Sequence, residues 1–536
     1  QCPADVEHRG VSMSPQELAT PPLAHLLGNR SANWRVSWPL LAGLGAFFYA
    51  LAVGSGMLVD GDTYWHVAAG LWMFQNGTVP TVDPFSHTMA GSVWTAHEWL
   101  AEILLAGAHE IGGWGLVGIL TAAAFAATFA LLLRSLLRWV EPVYAILFTV
   151  LALAMTFEHL LARPHILAMP LMMVWTIELV LASEGRRTPR WWMLPVMIVW
   201  ANLHGGFTFG LVLACAFTLE AVVEAEPERR LSTAKSWALF LALAVGSSMV
   251  TPLGFHGLFF TWTVLFELGF MLSRIAEWRS PNFHEFNALE LWLLAGMGLV
   301  LYQGLRLPPI RLLLVLGVLH MALKHVRYIE LVGLLTPLFV AGPFAAQWRQ
   351  AREGRQQLAA FDRLFDALTP PAGRSATLAA LVLTAGVTVW AMHTRPMEPT
   401  PNMPVRAVAE VQKAKITGPV LNGYGGGGYL IYMGIPVYID GRADLYGDAF
   451  MKEFADAADL RVAGEFERLL SKYRITWTLL PPGAAANQLL AHLPGWQRFY
   501  SDEVSVVYVK TSQVTQPAPI ARMSPVIQSP VKGSAR

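Results

Sequence analysis

The chain has 536 residues, 54% of them hydrophobic and 14% charged, with a mean hydropathy of +0.44 and a net charge of +1. Soluble domains carry about 25% charged residues. The composition therefore excludes an ordinary soluble globule, and the balanced charge excludes nucleic acid as a partner; what remains is a polytopic α-helical membrane protein.

Residues 1–35 are polar and irregular and are expected to form a cytoplasmic N-terminal segment. The apolar run that follows is too long for the core of a cleavable signal peptide. About 20 apolar residues cross a bilayer as a helix. On that criterion the spans are 36–59, 113–133, 140–158, 164–182, 191–203, 207–223, 236–252, 287–304, 310–323, 328–346 and 376–393, about 11 in all. The run 257–273 reads either as a further span or as an interfacial or re-entrant helix. Cys215 sits inside one apolar run and reads as a small packing residue; with Cys2 it makes no disulfide framework.

Loop charge sets the orientation, because Lys and Arg stay on the cytoplasmic side. No Lys or Arg occurs between Arg35 and Arg134, while the same stretch holds Asp60, Asp62, Asp83, Glu98, Glu102 and Glu110. The large loop 59–112 is therefore expected outside. "RSLLR" (134–138), "EGRRTPR" (184–190), "EPERRLSTAK" (226–235) and "RQAREGRQQ" (349–357) then fall inside. The alternation holds when 257–273 does not cross, and it puts the chain after residue 394 outside.

That last part is of another kind. Residues 395–404, "RPMEPTPNMP", read as a proline-rich linker. Strand-like runs follow, "GPVLNGY", "GYLIYMG", "IPVYIDG", "TWTLLPP" and "VSVVYVK", with helix-like runs at 448–459, 464–473 and 484–492. Together 405–511 are expected to form an external α/β domain. Residues 512–536, rich in Ser, Pro and Gln, are expected to be disordered.

Polar groups in or beside a membrane are costly and are functional candidates. Here they gather at the outer ends of the predicted helices. "FEHLLARPH" (157–165) supplies Arg163 and His165, "WANLHGG" (200–206) supplies His204, "AEWRSPNFHEF" (276–286) supplies Glu277 and Arg279, and "LKHVRYIE" (323–330) supplies Lys324, Arg327 and Tyr328. External loops must hold polar residues somewhere, which explains any one of them. It explains Arg163, Arg279, Lys324 and Arg327 less well, because basic residues avoid short outside loops. Their partners would be the loop carboxylates or an anionic ligand, for which guanidinium and ammonium groups are the usual binders.

"GDTYWHVAAGLWMFQNGTVPTVDPFSHT" (61–88) resembles the first external loop of the GT-C superfamily, polytopic glycosyltransferases that use polyprenyl-phosphate-linked sugars. "DTYWH" is similar to the loop of oligosaccharyltransferase catalytic subunits, and "NGTVPTVDPFS" to that of bacterial mannosyltransferase-like members. "HEWLAE" (97–102), "ARPH" (162–165), "NLHGG" (202–206), "EWRSP" (277–281) and "VYIDGRADLYG" (437–447) resemble an uncharacterised bacterial group of the same type. The resemblance implies a GT-C-like fold in a bacterial inner membrane, with the C-terminal domain periplasmic. It implies transfer of a sugar from a polyprenyl-phosphate donor to an acceptor at the outer face. Asp62 would activate the acceptor, with Asp60 as the neighbour that competes for the assignment. Asp83 matches a second aspartate that holds a divalent metal in some members; others work without metal. Arg163, Lys324, Arg327 and Arg279 would meet the donor phosphate. His66, His97, Glu98, His165, His204, Glu277 and Tyr328 complete the candidate site. The "WWDYG"-type stretch of oligosaccharyltransferases is missing, which argues against asparagine glycosylation.

Three further signals are discounted. "GYGGGG" (423–428) matches G-x-G-x-x-G, but the run after it reads as strand and not as the helix a dinucleotide site needs. A glycine turn between strands, or a close backbone approach, is expected instead. "DGRADLYGD" (440–448) reads as an internal ion-pair network or as a loop docked against the membrane-side cavity. Trp191, Trp192 and Trp200 read as interface anchors, while Trp65, Trp72 and Trp94 would stack on a sugar or pack helices. The competing functional class is a non-catalytic structural or lipid-binding subunit of a membrane complex. A transporter would show inverted repeats, and none is legible.

Overall fold

The computed structural model describes residues 33–259, 269–352 and 365–511. The middle of the ambiguous run 257–273, residues 260–268, falls outside them, as do most of the N-terminal segment and the 512–536 tail.

Helices make the first part: α1 (Trp38–Val53), α2 (Gly61–Asn76), α3 (Trp99–Leu136), α4 (Pro142–Thr156), α5 (Pro164–Glu184), α6 (Met193–Leu203), α7 (Phe207–Glu224), α8 (Pro227–Ser248), α9 (Gly269–Arg274), α10 (Ala288–Gln303), α11 (Pro309–Lys324), α12 (Ile329–Arg352) and α13 (Arg374–Thr394). Every predicted span coincides with a helix. Seven helical stretches among the described residues are long and apolar enough to cross a membrane: Trp38–Leu58, Trp99–Leu136, Pro142–His159, Pro164–Glu184, Phe207–Glu224, Val326–Gln347 and Arg374–Thr394. The expected count of 11 is not confirmed among the described residues. α6 has only 11 residues, α10 and α11 have 16 each, and the first turns of α8 are charged.

The expected external loop 59–112 is largely helical. α2 takes its first part, its end is the start of α3, and residues 77–98 between them are irregular. Gly112 and Gly113 break α3; Gly113 takes φ +61°, a left-handed conformation that suits glycine. The segment before the break stays against α2, and the rest runs on as a span beside α1 and α5. Trp200 is buried, against its reading as an interface anchor, with its six-membered ring filling the space a side chain on Gly210 would need. Trp191 and Trp192 are about half exposed, as interface anchors would be. Cys215 lies on an exposed face of α7 and not in the core.

The C-terminal part is α14 (Val405–Lys413), β1 (Val420–Asn422), α15 (Gly427–Tyr432), α16 (Ala443–Ala458), α17 (Glu465–Lys472), β2 (Trp477–Leu480), α18 (Ala486–His492), β3 (Trp496–Ser501) and β4 (Val506–Lys510). The strands form one mixed sheet in the order β1-β2-β4-β3, parallel between β1 and β2 and antiparallel elsewhere. "GYLIYMG" is a correction: its centre is α15, a helix whose residues are all buried. "IPVYI" joins no strand of the sheet; Val437 forms an isolated bridge to Ser86 instead. A run of apolar residues buried on all sides carries no period, so strand and helix cannot be told apart there.

That bridge belongs to an extensive docking surface. His87 Nε2 lies 2.8 Å from Val420 O, Thr88 Oγ1 donates to Tyr438 O at 2.7 Å, and His87 N donates to Val437 O at 3.0 Å. Tyr64 packs edge-on against Tyr429 and Tyr432. The C-terminal domain thus shares a core with α2 and the segment after it.

Candidate functional site

The site begins at the N-terminus of α2. Asp60 is its N-cap, extended in backbone, with Oδ1 accepting from Asp62 N at 2.7 Å. Asp62 Oδ1 accepts from Trp65 Nε1 at 3.0 Å, one turn further along, and Oδ2 pairs with Arg163 Nη2. Arg163 stands at the N-cap of α5. Its Nη1 reaches Glu277 Oε1 at 2.6 Å and Asp60 Oδ2 at 3.3 Å. One guanidinium therefore gathers three carboxylates from chain segments more than 100 residues apart, with the Arg163 side chain 17% exposed and Asp62 20%.

Three negative charges against one positive leave a surplus, and it falls on Asp62. Burial pushes its carboxyl up to about 7, against the pull of Arg163, with Asp60 and Glu277 adding to the rise. Burial acts on Glu277 in the same sense, but Arg163 and Arg327 outweigh it and hold that carboxyl down at about 2. Burial also opposes the Arg163 charge, yet Asp60, Asp62 and Glu277 keep it protonated far above its ordinary range. Each oxygen of Asp62 has one protein partner among the described residues. A carboxylate oxygen has room for two.

Behind α2 lies a ring of histidines and glutamates. His66 Nδ1 is 3.3 Å from Glu102 Oε1, and its Nε2 is 3.6 Å from Glu98 Oε2. Glu98 Oε1 also approaches His204 Nε2 at 3.6 Å and His97 Nε2 at 3.8 Å. His165 lies 6.3 Å from His204, ring to ring. Burial drives His66 and His204 well below the ordinary imidazole range, and the neighbouring cations add to it. Burial raises Glu98. His66 and His204 are therefore neutral donors and acceptors around the Glu98 carboxyl.

The basic candidates divide. Arg163 is committed to carboxylates. Arg327 lies 4.6 Å over the Trp278 ring and 5.9 Å from that of Tyr328, and its charge reaches both Glu277 and Glu98. His325 Nδ1 on Trp278 O, at 2.6 Å, ties the two loops together. Lys324 and Arg279 are exposed beside them. Among the described residues no carboxylate pairs with Arg327, Lys324 or Arg279.

Asp83, expected as a catalytic or metal-holding partner of Asp62, lies in a different setting. It is fully buried with Oδ1 on Arg442 Nη1 at 2.6 Å, and it also accepts from Phe85 N, Ser86 N and Ser86 Oγ. A guanidinium occupies the place a cation would take, so Asp62 and Asp83 do not fit a shared metal ion. Among the described residues no group of three metal-ligating side chains assembles. Arg442 also holds Asp440 through Nη2 at 2.7 Å and Nε at 2.8 Å, and Tyr446 donates to Asp440 at 2.6 Å. Its guanidinium is covered by Trp94 at 4.7 Å and Phe85 at 5.2 Å. The "DGRADLYGD" stretch is thus an internal ion-pair network and a docked loop at once.

Sequence reasoning did not single out Trp278, Tyr424 or Gly441 for the site, and it read Trp65 as a sugar platform or a packing residue and not as a partner of Asp62. Trp65 sits three residues after Asp62, the spacing that puts two side chains on one helix face, and that was the available signal. The glycines of "GYGGGG" open onto a helix after all. They are filled by protein: a Cβ on Gly427 would meet Asp440 Cα at 2.7 Å, and one on Gly428 would overlap Gly61 O.

No family model and no curated protein sequence matches the chain. Among solved structures, ArnT from Cupriavidus metallidurans bound to undecaprenyl phosphate is similar at 14% identity and a TM-score of 0.48, over 90% of this chain and 98% of that one. The archaeal oligosaccharyltransferase AglB from Archaeoglobus fulgidus, in complex with an inhibitory peptide and a dolichol-phosphate, is similar at 10% identity and a TM-score of 0.47, over 82% and 69%. Likenesses of this strength assign no function, which rests on the site itself.

Proposed function

We propose that this protein is a membrane glycosyltransferase that moves a sugar from a polyprenyl-phosphate-linked donor to an acceptor at the outer face of the membrane. The observation that carries the reading is Asp62: a carboxylate at the mouth of the helical bundle, fixed by Trp65 and Arg163, with a lone pair left on each oxygen. Its raised carboxyl, at about 7, is matched to proton transfer near neutral pH.

In the reaction, Asp62 takes the proton of the acceptor hydroxyl. The acceptor oxygen bonds to the anomeric carbon as the bond from that carbon to the phosphate oxygen breaks. The electron pair leaves with the polyprenyl phosphate. The surplus negative charge of Asp60, Asp62 and Glu277 favours the positive character that develops on the sugar ring. Arg163 holds those carboxylates together and is not free for phosphate. The leaving phosphate falls to Arg327, with Lys324 and Arg279 at the rim. His66, Glu98 and His204 brace α2 and the α6–α7 turn from behind. Asp83 enters no step.

The test is native mass spectrometry of the gently solubilised protein, followed by transfer assays with a panel of undecaprenyl-phosphate-linked sugars. A co-purifying polyprenyl phosphate, and transfer abolished by Asp62→Asn, support the reading. Stoichiometric partner subunits without such a lipid, or transfer indifferent to Asp62→Asn, would overturn it.

A further inference from the structure

The candidate site is not made by the membrane helices alone. The segment Asp440–Gly441–Arg442 of the C-terminal domain lies directly on Asp62. A Cβ placed on Gly441 would overlap Asp62 Oδ1 and come within 3.2 Å of Trp65 Nε1. Gly441 does not take a left-handed φ. Its backbone would therefore accept alanine, and the main objection to a side chain there is the Asp62 carboxylate, with Trp65 Nε1 a lesser one. Tyr424, in the same domain, lies over this point with its hydroxyl on Gly441 O at 3.3 Å. Glycine 441 is also flanked by the two residues of the Asp440–Arg442 clamp, whose side chains have no exposure and which reach back to Asp83. The peptide above Asp62 thus cannot drift.

We propose that Gly441 is a positioning residue for Asp62: the C-terminal domain forms the roof of the site, and the missing side chain at 441 sets where the Asp62 carboxylate stands between Arg163 and Trp65. This rests on the transferase reading for what Asp62 does, but not for where it stands. The roof leaves the acceptor one approach, to the lone pairs of Asp62 that Gly441, Trp65 and Arg163 do not cover. The domain is then part of the active site and not a separable docking module.

The test is a double-mutant cycle on the full-length protein in detergent. Gly441→Ala is expected to lower the thermal midpoint by roughly 4 °C or more, since the overlap must push atoms apart in a packed region. In an Asp62→Gly background the same substitution should shift it by less than about 1 °C, because the colliding group is gone. Gly425→Ala, where a Cβ meets nothing within 4 Å, is the matched control and should change neither background. If Gly441→Ala is too unstable to purify, recovery of folded protein by adding Asp62→Gly gives the same answer. Equal shifts in both backgrounds, or none in either, would overturn the proposal.

A second readout separates positioning from mere packing. Labelling of Asp62 by a water-soluble carbodiimide and glycine methyl ester, read by peptide mass spectrometry across pH, should change at least threefold in rate in Gly441→Ala and not in Gly425→Ala. An unchanged Asp62 labelling profile in Gly441→Ala sinks the roof whatever the transfer activity. A changed profile with transfer indifferent to Asp62→Asn would keep the roof and sink the transferase.

Discussion

Two arginines in this molecule sit among aspartates, and they do opposite things. Arg442 is sealed. Its side chain, Asp83 and Asp440 have no exposure, and every carboxylate oxygen of the pair has two partners: backbone N–H groups, the guanidinium, and the hydroxyls of Ser86 and Tyr446. Arg163 is open. Its carboxylates, on Asp60, Asp62 and Glu277, are 20–27% exposed, outnumber it three to one, and keep unused lone pairs. A buried pair with all its valences filled has nothing to offer a ligand, and its use is to fix one geometry. An open cluster with surplus charge costs stability and is kept where chemistry is done. The difference lies in saturation and not in residue type.

The largest effect should come from exchanging the two aspartates that look alike in sequence. Asp62→Asn is expected to lower transfer by about 10³-fold, the usual contribution of a positioned base, with protein yield and thermal midpoint kept. Asp83→Asn should do the reverse: it weakens a buried charge pair and lowers the midpoint, with transfer falling only as far as folded protein is lost. Equal loss of transfer in the two variants, with both fully folded, would break the comparison.

Next come the arginines. Arg442→Met leaves two buried carboxylates without their cation, a change that costs about 3–5 kcal/mol. Thermal unfolding and protease cleavage within 395–404 should both report a loosened C-terminal domain. Arg163→Met, in the same assays, should cost only about 1 kcal/mol, because its carboxylates reach water. Arg327→Gln should cost no more stability than Arg163→Met, through the lost Glu277 and Trp278 contacts, and weaken undecaprenyl phosphate binding roughly tenfold, the worth of one charge-assisted hydrogen bond. Isothermal binding measurements on the purified protein check this.

How far the sequence reaches follows the same line. The helical bundle was legible because apolar run length is a direct physical signal. The exact number of spans was not, since α6, α10 and α11 are apolar but shorter than the helices that qualify by length. Residues of the Arg163 cluster could be singled out too: Arg163 because a basic residue in a short outside loop breaks a rule of membrane composition, Asp62 because its stretch resembles a known loop, and Glu277 as a polar residue at an outer helix end. Their mutual arrangement was not legible, since pairing across more than 100 residues leaves no local trace. Asp83 and Asp62 carry the same signal in the sequence, and only the backbone N–H groups and Arg442 around Asp83 separate them. Gly441 could not be found from the chain, because a glycine that avoids a clash reads the same as one in a turn.

The smallest effect is also the sharpest on the Arg163 cluster, and it is a matter of sign. The Asp62 carboxyl is raised in the fold from its ordinary 3.8 to about 7, so the native state binds that proton more tightly than the unfolded chain does. Stability is then undiminished below about pH 4, falls as pH rises to about 7, and is level above. Glu277 is depressed from 4.5 to about 2 and works the other way: its contribution is present above pH 4.5 and is lost as pH falls toward 2. The two windows meet near pH 4, where the cluster is most stable. Thermal midpoints across pH should show Asp62→Asn flattening the decline between pH 4 and 7 while keeping the acid limb, and Glu277→Gln removing the acid limb alone. Transfer should rise through about pH 7 as Asp62 loses its proton, across the window in which stability falls. A base that is ready near neutral pH is, on this account, the same surplus charge that the fold holds at a cost. If the pH 4–7 decline is the same in wild type and Asp62→Asn, the surplus resides on another carboxylate and the base must be sought there.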